Sequence, residues 1–241
     1  MPEAALVTGA ASGIGRAVAE RLVADGWDVL AVDVAPDADG PGEAFSADLS
    51  TRAANRAAVD AALERFGRLD ALVPNAGFQH VSPLESFDED QWDALVALLL
   101  TSPFLLARYA WPALRESGNG RIVVVASVHG LVASPFKAAK HGVLGLVKAL
   151  ALEGADAGIR ASAVCPGYVR TTLVEQQIAD QARAYGLPED RVVEDVLLAP
   201  QAIKRMLEPS EVADTVAYLL GPGGALFTGA PLVVDGGWTA R

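Results

Sequence analysis

The chain is poor in the residues that form disulfides and transition-metal sites. It has one cysteine, Cys165, and three histidines among 241 residues. A single cysteine cannot form an internal disulfide and fits a reducing compartment. Three histidines and one cysteine cannot supply a zinc-type ligand cluster, although a carboxylate site for a hard cation stays open. We therefore predict a cytoplasmic protein with no metal site.

Positive charge is also scarce, with 19 Lys and Arg against 30 Asp and Glu, a net charge of −11. Such a surface repels phosphate backbones and anionic lipid, so we expect no nucleic-acid or membrane partner. The N-terminus reaches an apolar strand pattern with no basic lead, so no targeting segment is expected. The most apolar helical stretch, residues 94–106, is interrupted by Thr101, Ser102 and Pro103, and we expect it to be too short and broken to span a bilayer.

Short apolar runs alternate with longer helical patterns along the whole chain, which is typical of βαβ units. Runs that are apolar at every position, such as Ile-Val-Val-Val at 122–125, favour parallel strands covered on both faces. The pattern predicts a single α/β domain with a doubly wound, Rossmann-type, mostly parallel seven-stranded sheet and helices on both faces. Strands are predicted at 5–8, 28–33, 44–48, 71–74, 121–126, 160–164 and 231–234, and helices at 13–24, 52–66, 89–116, 138–153 and 208–219. The polar, helical stretch at 167–208 breaks the alternation and is a candidate substrate lid.

A glycine-rich turn joins the first strand to the first helix, with the sequence Thr-Gly-Ala-Ala-Ser-Gly-Ile-Gly at 8–15. Gly9 allows the turn, Gly13 allows the backbone to approach a pyrophosphate, and Gly15 allows helix and strand to pack closely. The helix N-terminus then offers free N–H groups to phosphates. The spacing differs from the usual G-x-G-x-x-G, and a P-loop is excluded because no Gly-Lys-Ser/Thr follows. The turn predicts a dinucleotide site.

Two aspartates strengthen this prediction. Asp33 ends the second predicted strand, where a carboxylate accepts hydrogen bonds from the adenosine ribose hydroxyls. An anion there repels a 2′-phosphate and no nearby arginine in the sequence compensates, so NAD is favoured over NADP. Asp48 ends the third predicted strand before Leu49, where it would reach the adenine edge. Either aspartate alone is more often a turn residue; the ordered set indicates NAD.

The order of these motifs resembles the short-chain dehydrogenase/reductase family. The resemblance adds Asn-Ala-Gly at 75–77, Ser127 after the fifth strand, Lys140 on the next helix and Pro-Gly at 166–167. It implies a sheet of order 3-2-1-4-5-6-7, a homotetramer or homodimer formed through the helices at 89–116 and 138–153, and catalytic roles for Ser127 and Lys140. The implied cofactor contacts are Gly9, Ser12, Gly13, Ile14, Gly15, Asp33, Asp48, Leu49, Asn75, Gly77, Lys140, Pro166, Gly167, Val169 and Thr171.

Further motifs, at 77–81, 127–130, 134–137, 173–177 and 236–240, are similar to the branch of this family that acts on 3-hydroxybutyrate. That branch implies a small hydroxy-acid substrate. A cation with amide and imidazole donors is well suited to orient its carboxylate. His80 and His141 are interpreted as structural or solvent-facing. The residues implied to bind substrate are Gln79, His129, Lys137 and Gln177 on the carboxylate, and Tyr168 and Trp238 on the methyl side.

Two positions depart from the family pattern. In the family a tyrosine four residues before the lysine carries the proton of the substrate oxygen, and an asparagine on the long helix supports a water relay. Here Phe136 stands four residues before Lys140, and Leu99 has the position of the asparagine. Of the tyrosines in the chain, only Tyr168 is expected near a substrate.

Three explanations account for Phe136. The first is a direct replacement of the tyrosine by phenylalanine. The second is a deletion of four residues, including the tyrosine, before Ala138; it is favoured because Lys140 follows Ser127 by 13 positions, fewer than in the family. Lys137 and Lys140 would then lie on adjacent turns of one helix face. The third is an omission from this sequence of residues that the natural chain carries, which a Cα spacing well above ~3.8 Å between neighbouring residues from 136 to 140 would reveal.

Three functions are therefore considered. The first is an NAD-dependent oxidoreductase that interconverts 3-hydroxybutyrate and acetoacetate, slowed by about 10²–10⁴-fold if the tyrosine is lost. The second is an NAD-binding protein with little or no catalysis, acting as a subunit or sensor. The third is a short-chain dehydrogenase that acts on another small hydroxy or keto compound.

Overall fold

A computed structural model describes residues 1–80, 82–132 and 138–240 and shows a seven-stranded sheet of order β3-β2-β1-β4-β5-β6-β7. Every neighbouring pair of strands is parallel. This confirms the predicted doubly wound fold. The strands are β1 (Ala4–Thr8), β2 (Asp28–Asp33), β3 (Glu43–Ser46), β4 (Ala71–Val73), β5 (Arg121–Val125), β6 (Arg160–Pro166) and β7 (Pro231–Val234).

Helices occupy the predicted places between the strands. They are α1 (Gly13–Ala24), α2 (Arg52–Phe66), α3 (Glu89–Val96), α4 (Ser102–Glu116), α5 (Ala138–Gly154), α6 (Thr172–Tyr185), α7 (Glu189–Val192) and α8 (Pro209–Leu220). Several strand ends differ from the prediction by one or two residues. The difference that matters for the site is at β3, which ends at Ser46, so Asp48 lies in the loop that follows.

Apolar residues cover both faces of the sheet. Along β1, Leu6 packs on the side of α2, α4 and α5, and Val7 packs on the side of α1 and α8; both are fully buried. Because the strands are apolar on both faces, parallel pairing with helices above and below is the arrangement that buries them. All the strands thereby end at one edge of the sheet, where their loops can build a site.

The long helix between β4 and β5 is continuous, as its prediction at 89–116 requires. A π-turn over Ala97–Thr101 joins α3 to α4, because Pro103 has no N–H for the Leu99 carbonyl. The resulting helix, Glu89–Glu116, is 28 residues long and, by length and composition alone, could cross a membrane. It is longer than the apolar stretch at 94–106, so its length does not support the expectation that it spans no bilayer, which stays a prediction. In this fold Leu105, Leu106 and Ala110 are buried in the core.

The strand order reverses between β1 and β4, and ligands of doubly wound sheets bind in the crevice at such a point. The stretch from 167 to 208 lies beyond the end of β6 and is helical, as predicted. It carries a small apolar core of its own, formed by Ile178, Ala182, Val192, Leu197, Leu198 and Met206. A single bridge between Val169 and Leu207 closes its base.

Candidate active site

A cleft of about 700 Å³ opens at the carboxyl ends of the strands. It is lined by Gly13, Asp33, Ser127 and Lys140, which come from four separate parts of the chain. Every residue assigned to the cofactor from sequence lines this cleft except Gly15. Of the residues assigned to the substrate, the cleft is lined by Gln79 and His129.

The glycine turn has the backbone that its sequence predicts. Gly9 and Gly13 have φ of +67° and +53°, a left-handed conformation that other residues rarely adopt. A Cβ on Gly15 would lie 2.1 Å from the Gly9 carbonyl oxygen, so Gly15 serves the packing of α1 against β1 rather than the cleft. The Ser12 side chain does not cap α1. Since Ser12, Gly13 and Ile14 line the cleft, the first turn of α1 fits a phosphate.

Thr8 and Asn75 fasten the ends of β1 and β4 together. The Thr8 hydroxyl accepts the backbone N–H groups of Asn75 and Ala76, both at 2.9 Å. The Asn75 side-chain amide donates to the Thr8 carbonyl at 2.9 Å. Thr8 is buried. These bonds hold the two loops of the strand-order reversal at a fixed separation, and the sequence interpretation did not assign this role to Thr8.

The two aspartates line the part of the cleft that is predicted to face the adenosine. The Asp33 carboxylate accepts the N–H of Ala11, in the glycine turn, at 3.1 Å. Asp48 is exposed and accepts the N–H of Ser50 at 3.0 Å; hydrogen bonds from the Ser50 side chain and backbone lower the pKa of Asp48. Arg16, the cation nearest to the turn in sequence, is bound by Glu20 and Asp37.

Ser127, in the loop after β5, and Lys140, in α5, both line the cleft. The Ser127 hydroxyl accepts the N–H of His129 at 3.2 Å. The Lys140 ammonium donates to the carbonyl of Val125 at 3.0 Å. Burial raises the pKa of the neighbouring Cys165 thiol, an effect that the Ser127 backbone and the Lys140 charge offset only in part, so this thiol is protonated at neutral pH.

His129 lies between two aromatic side chains. Its ring meets Tyr168 edge-on at 6.3 Å and Trp238 edge-on at 5.4 Å between ring centres. Neither aromatic residue lines the cleft, and neither does Gln177. Burial raises the pKa of Tyr168. Tyr168 and Trp238 therefore support His129 from behind, and their contact with substrate stays a prediction.

The remaining wall of the cleft is apolar. Leu99 is buried in a cluster with Leu95 and Ala139, against which Phe78 and Phe87 pack. The residues of this wall that line the cleft include Phe78, Trp92, Leu95, Val96, Leu98 and Leu99. His80 also lines the cleft, with its ring edge-on to Phe87 at 5.1 Å, and its interpretation as structural or solvent-facing stays a prediction. No sequence signal had singled out Trp92, Leu95, Val96 or Leu98.

Phe136 and Lys137, in the segment that departs from the family pattern, lie outside the described residues. The predicted place of Lys137 and the Cα spacing from 136 to 140 are therefore not tested. None of the tyrosines whose side chains the structure describes lines the cleft. In the described ranges there is also no cluster of three or more His, Cys, Asp or Glu arranged to hold a metal ion.

The comparison with known families agrees with this fold and cleft. A short-chain dehydrogenase model, described as enoyl-(acyl carrier protein) reductase, matches residues 9–239. The chain belongs to the short-chain dehydrogenase/reductase family. Members of this family are oxidoreductases that bind nicotinamide cofactors, which the glycine turn and the cleft of this chain also fit.

Relatives in this family match the whole chain. The D-beta-hydroxybutyrate dehydrogenase of Rhizobium meliloti (strain 1021) is 40% identical, covering 100% of both chains. The cis-4-hydroxycyclohexanecarboxylate dehydrogenase of Sinomonas cyclohexanicum is 38% identical, covering 98% of this chain and 96% of the relative. A solved structure of actinorhodin polyketide ketoreductase with NADPH has a TM-score of 0.91 at 34% identity, covering 100% and 98% of the two chains.

The alignment with the Rhizobium protein also bears on the missing tyrosine. It extends over 258 positions, 17 more than the 241 residues of this chain. The chain therefore lacks residues that this short-chain dehydrogenase has. The length difference does not say where they are, so the deletion of four residues before Ala138 stays a prediction.

Proposed function

We propose that this short-chain dehydrogenase binds NAD and interconverts 3-hydroxybutyrate and acetoacetate slowly, because it lacks the tyrosine that carries the proton. The observation that supports this function is the cleft itself, which joins Gly13, Asp33, Ser127 and Lys140 in one space of about 700 Å³. The similarity to the Rhizobium D-beta-hydroxybutyrate dehydrogenase supports the choice of substrate.

NAD rather than NADP is proposed from the charges around the ribose site. The Asp33 carboxylate lies on the glycine turn, where it would accept ribose hydroxyls and repel a 2′-phosphate. Arg16 cannot compensate without giving up its bonds to Glu20 and Asp37, at 3.0 and 2.7 Å. A phosphate on the ribose would therefore meet an anion with no available cation beside it.

The proposed function gives roles to several polar residues. Ser127 would donate its hydroxyl hydrogen to the substrate oxygen, and Lys140 would bind the ribose hydroxyls next to the nicotinamide. Gln79 and His129, which line the cleft, would hold the substrate carboxylate. The family resemblance adds Lys137 and Gln177 to this role, although Gln177 does not line the cleft and Lys137 lies outside the described residues. NAD, when bound, supplies the ring carbon that accepts the hydride. Since no described tyrosine reaches the cleft, the substrate proton has to exchange with water or a weaker carrier.

Calorimetry with NADH and a NADH-linked assay on acetoacetate test this proposal together. We expect micromolar binding and turnover about 10²–10⁴-fold below that of the Rhizobium enzyme measured in parallel. Absence of NADH binding would overturn the cofactor assignment. Equal turnover of the two enzymes would overturn the claim that the proton carrier is missing.

A second candidate is an NAD-binding protein without catalysis, acting as a subunit or sensor. It is favoured by Leu99, a buried apolar residue at the position where the family resemblance implies the asparagine of the water relay. Binding of NADH with no detectable turnover of either acetoacetate or 3-hydroxybutyrate would select it.

A third candidate is a dehydrogenase of a larger hydroxy acid. The apolar wall that includes Phe78, Trp92, Leu95 and Leu99 would suit a ring or chain better than a single methyl group. The Sinomonas relative is named for such a ring acid. A higher kcat/KM for cis-4-hydroxycyclohexanecarboxylate than for 3-hydroxybutyrate would select this candidate.

We further propose a cytoplasmic homotetramer or homodimer with no nucleic-acid or membrane partner. The net charge of −11 supports the exclusion of polyanions. Phe104 on α4 and Leu152 on α5 are 42% and 83% exposed, and a second copy of the chain would cover them. Light scattering of the purified protein tests this assembly, and a monomer at micromolar concentration would contradict it.

A further inference from the structure

A fully buried amide connects the two walls of the cleft. Asn55, in the first turn of α2, has no exposed surface. Its side-chain nitrogen donates to the carbonyls of Leu49 and Thr51, both at 2.7 Å. Its side-chain oxygen accepts the hydroxyl of Ser102 at 2.7 Å. Asparagine is a weak helix former and a buried amide is costly unless it is bonded, so this residue is explained by its three bonds.

One end of this network lies in the adenine wall. Residues 47–50, the loop after β3, line the cleft, and Leu49 is buried within it. Bonds inside the loop shape it, from the Ser50 N–H to Asp48 and from the Thr51 hydroxyl to the Asp48 carbonyl. The bond from Asn55 to the Leu49 carbonyl adds a fixed attachment to α2.

The other end lies at the start of α4. Ser102 is 2% exposed and follows the π-turn directly. That turn carries Leu98 and Leu99, which line the opposite part of the cleft. The amide of Asn55 thus joins the loop that faces adenine to the helix that faces the nicotinamide side.

We propose that Asn55 is a positioning residue for the adenine half of the dinucleotide. It holds Asp48 and Leu49 at the distance from α4 at which they contact the adenosine. This inference rests on the proposed dinucleotide site. A gap of about 1 Å in such a wall is enough to weaken binding, because contacts and hydrogen bonds fall off steeply with distance.

The test uses ADP-ribose, which carries the adenosine and pyrophosphate without the nicotinamide ring. Calorimetry compares wild type with Asn55→Leu, which keeps the side-chain volume and removes all three bonds, and with Ser102→Ala, which removes one. We expect the Kd of ADP-ribose to rise about tenfold or more in Asn55→Leu and about threefold in Ser102→Ala. Backbone amides of 49–51 should also exchange hydrogen faster in Asn55→Leu.

Gln201→Leu is the matched control. Gln201 is 2% exposed and its amide donates to the carbonyls of Ile203 and Arg205, each at 2.6 Å, but it does not line the cleft. We expect this variant to lose thermal stability and to keep the Kd of ADP-ribose within about twofold of wild type.

The outcomes separate the two proposals. A wild type that does not bind ADP-ribose overturns the dinucleotide site itself. If wild type and Asn55→Leu bind ADP-ribose equally well, only the role of Asn55 is overturned. The same follows if Gln201→Leu loses as much affinity for ADP-ribose as Asn55→Leu does. If Asn55→Leu does not fold, Ser102→Ala decides: an unchanged Kd overturns the proposal and a raised one supports it.

Discussion

The two halves of the cleft are built differently. In the adenine half, the glycine turn, Asp33 and the loop 47–50 are fixed by bonds such as those of Thr8 to the Asn75 and Ala76 backbone. In the nicotinamide half, Ser127 and Lys140 remain, but they face an apolar wall that contains Leu99. Binding of a dinucleotide depends on the first set, and proton transfer depends on the second. Under the proposed function, this chain keeps the residues for dinucleotide binding and lacks the tyrosine for proton transfer, whereas an active short-chain dehydrogenase has both.

Insertion of a tyrosine should have the largest effect on activity, because it would supply the proton carrier that the nicotinamide half is proposed to lack. Placing Ala-Ala-Tyr-Val between Lys137 and Ala138 puts a phenol four residues before Lys140. We expect NADH-linked reduction of acetoacetate to rise about 10²–10⁴-fold, because a positioned acid is worth that much. An otherwise identical insertion with phenylalanine restores length without the hydroxyl and should stay at the wild-type rate. Equal rates for the two insertions would contradict this account.

Damage to the glycine turn should weaken binding in the adenine half. In Gly15→Ala the new Cβ would lie 2.1 Å from the Gly9 carbonyl oxygen, so α1 has to move away from β1. We expect the affinity for NADH to fall at least about tenfold and the free energy of unfolding to drop by about 1–3 kcal/mol. NADH fluorescence titration and denaturant unfolding measure the two effects.

Gly145→Ala is the control for that substitution. Gly145 is exposed in α5 and a Cβ there meets nothing within 4 Å. The variant should bind NADH normally and gain about 0.5–1 kcal/mol of stability, because alanine favours the helix over glycine. A similar loss of NADH affinity in both variants would show that the turn geometry is not the cause.

The sequence predicted features whose chemistry is local better than features that depend on the fold. Strand and helix bounds were close because most strands are apolar on both faces and each helix is bounded by loop residues; β3, the edge strand Glu43–Ser46, is the exception. The long helix was predicted as one element, but the π-turn by which it accommodates Pro103 was not. The glycines and Asp33 were found because their chemistry is local. Thr8 and Asn55 were missed, since their partners are distant in sequence and only the fold brings them together.

Removal of the Asp33 charge should give a moderate effect confined to the ribose site. Asp33→Ala loses a charged hydrogen-bond acceptor, so we expect the Kd of NADH to rise about tenfold. The Kd of NADPH should rise less or fall, because the repulsion of its 2′-phosphate is relieved. Asp39→Ala, at an exposed position outside the cleft, removes the same charge and should change neither constant. A Kd of NADPH below that of NADH in the wild type would contradict the NAD assignment.

The smallest effect is expected at Tyr168, and it tests whether another phenol has taken over proton transfer. Burial raises the pKa of Tyr168 above its ordinary value of about 10, so the side chain stays a neutral phenol up to and beyond pH 9. It packs against His129 and does not line the cleft. Tyr168→Phe keeps that packing, and we expect its kcat/KM for acetoacetate to stay within about twofold of wild type from pH 6 to 10. A loss of kcat/KM of tenfold or more in Tyr168→Phe would instead identify Tyr168 as the proton carrier. A changed slope of its pH profile at the alkaline end would do the same, and either result would remove the contrast between the two halves.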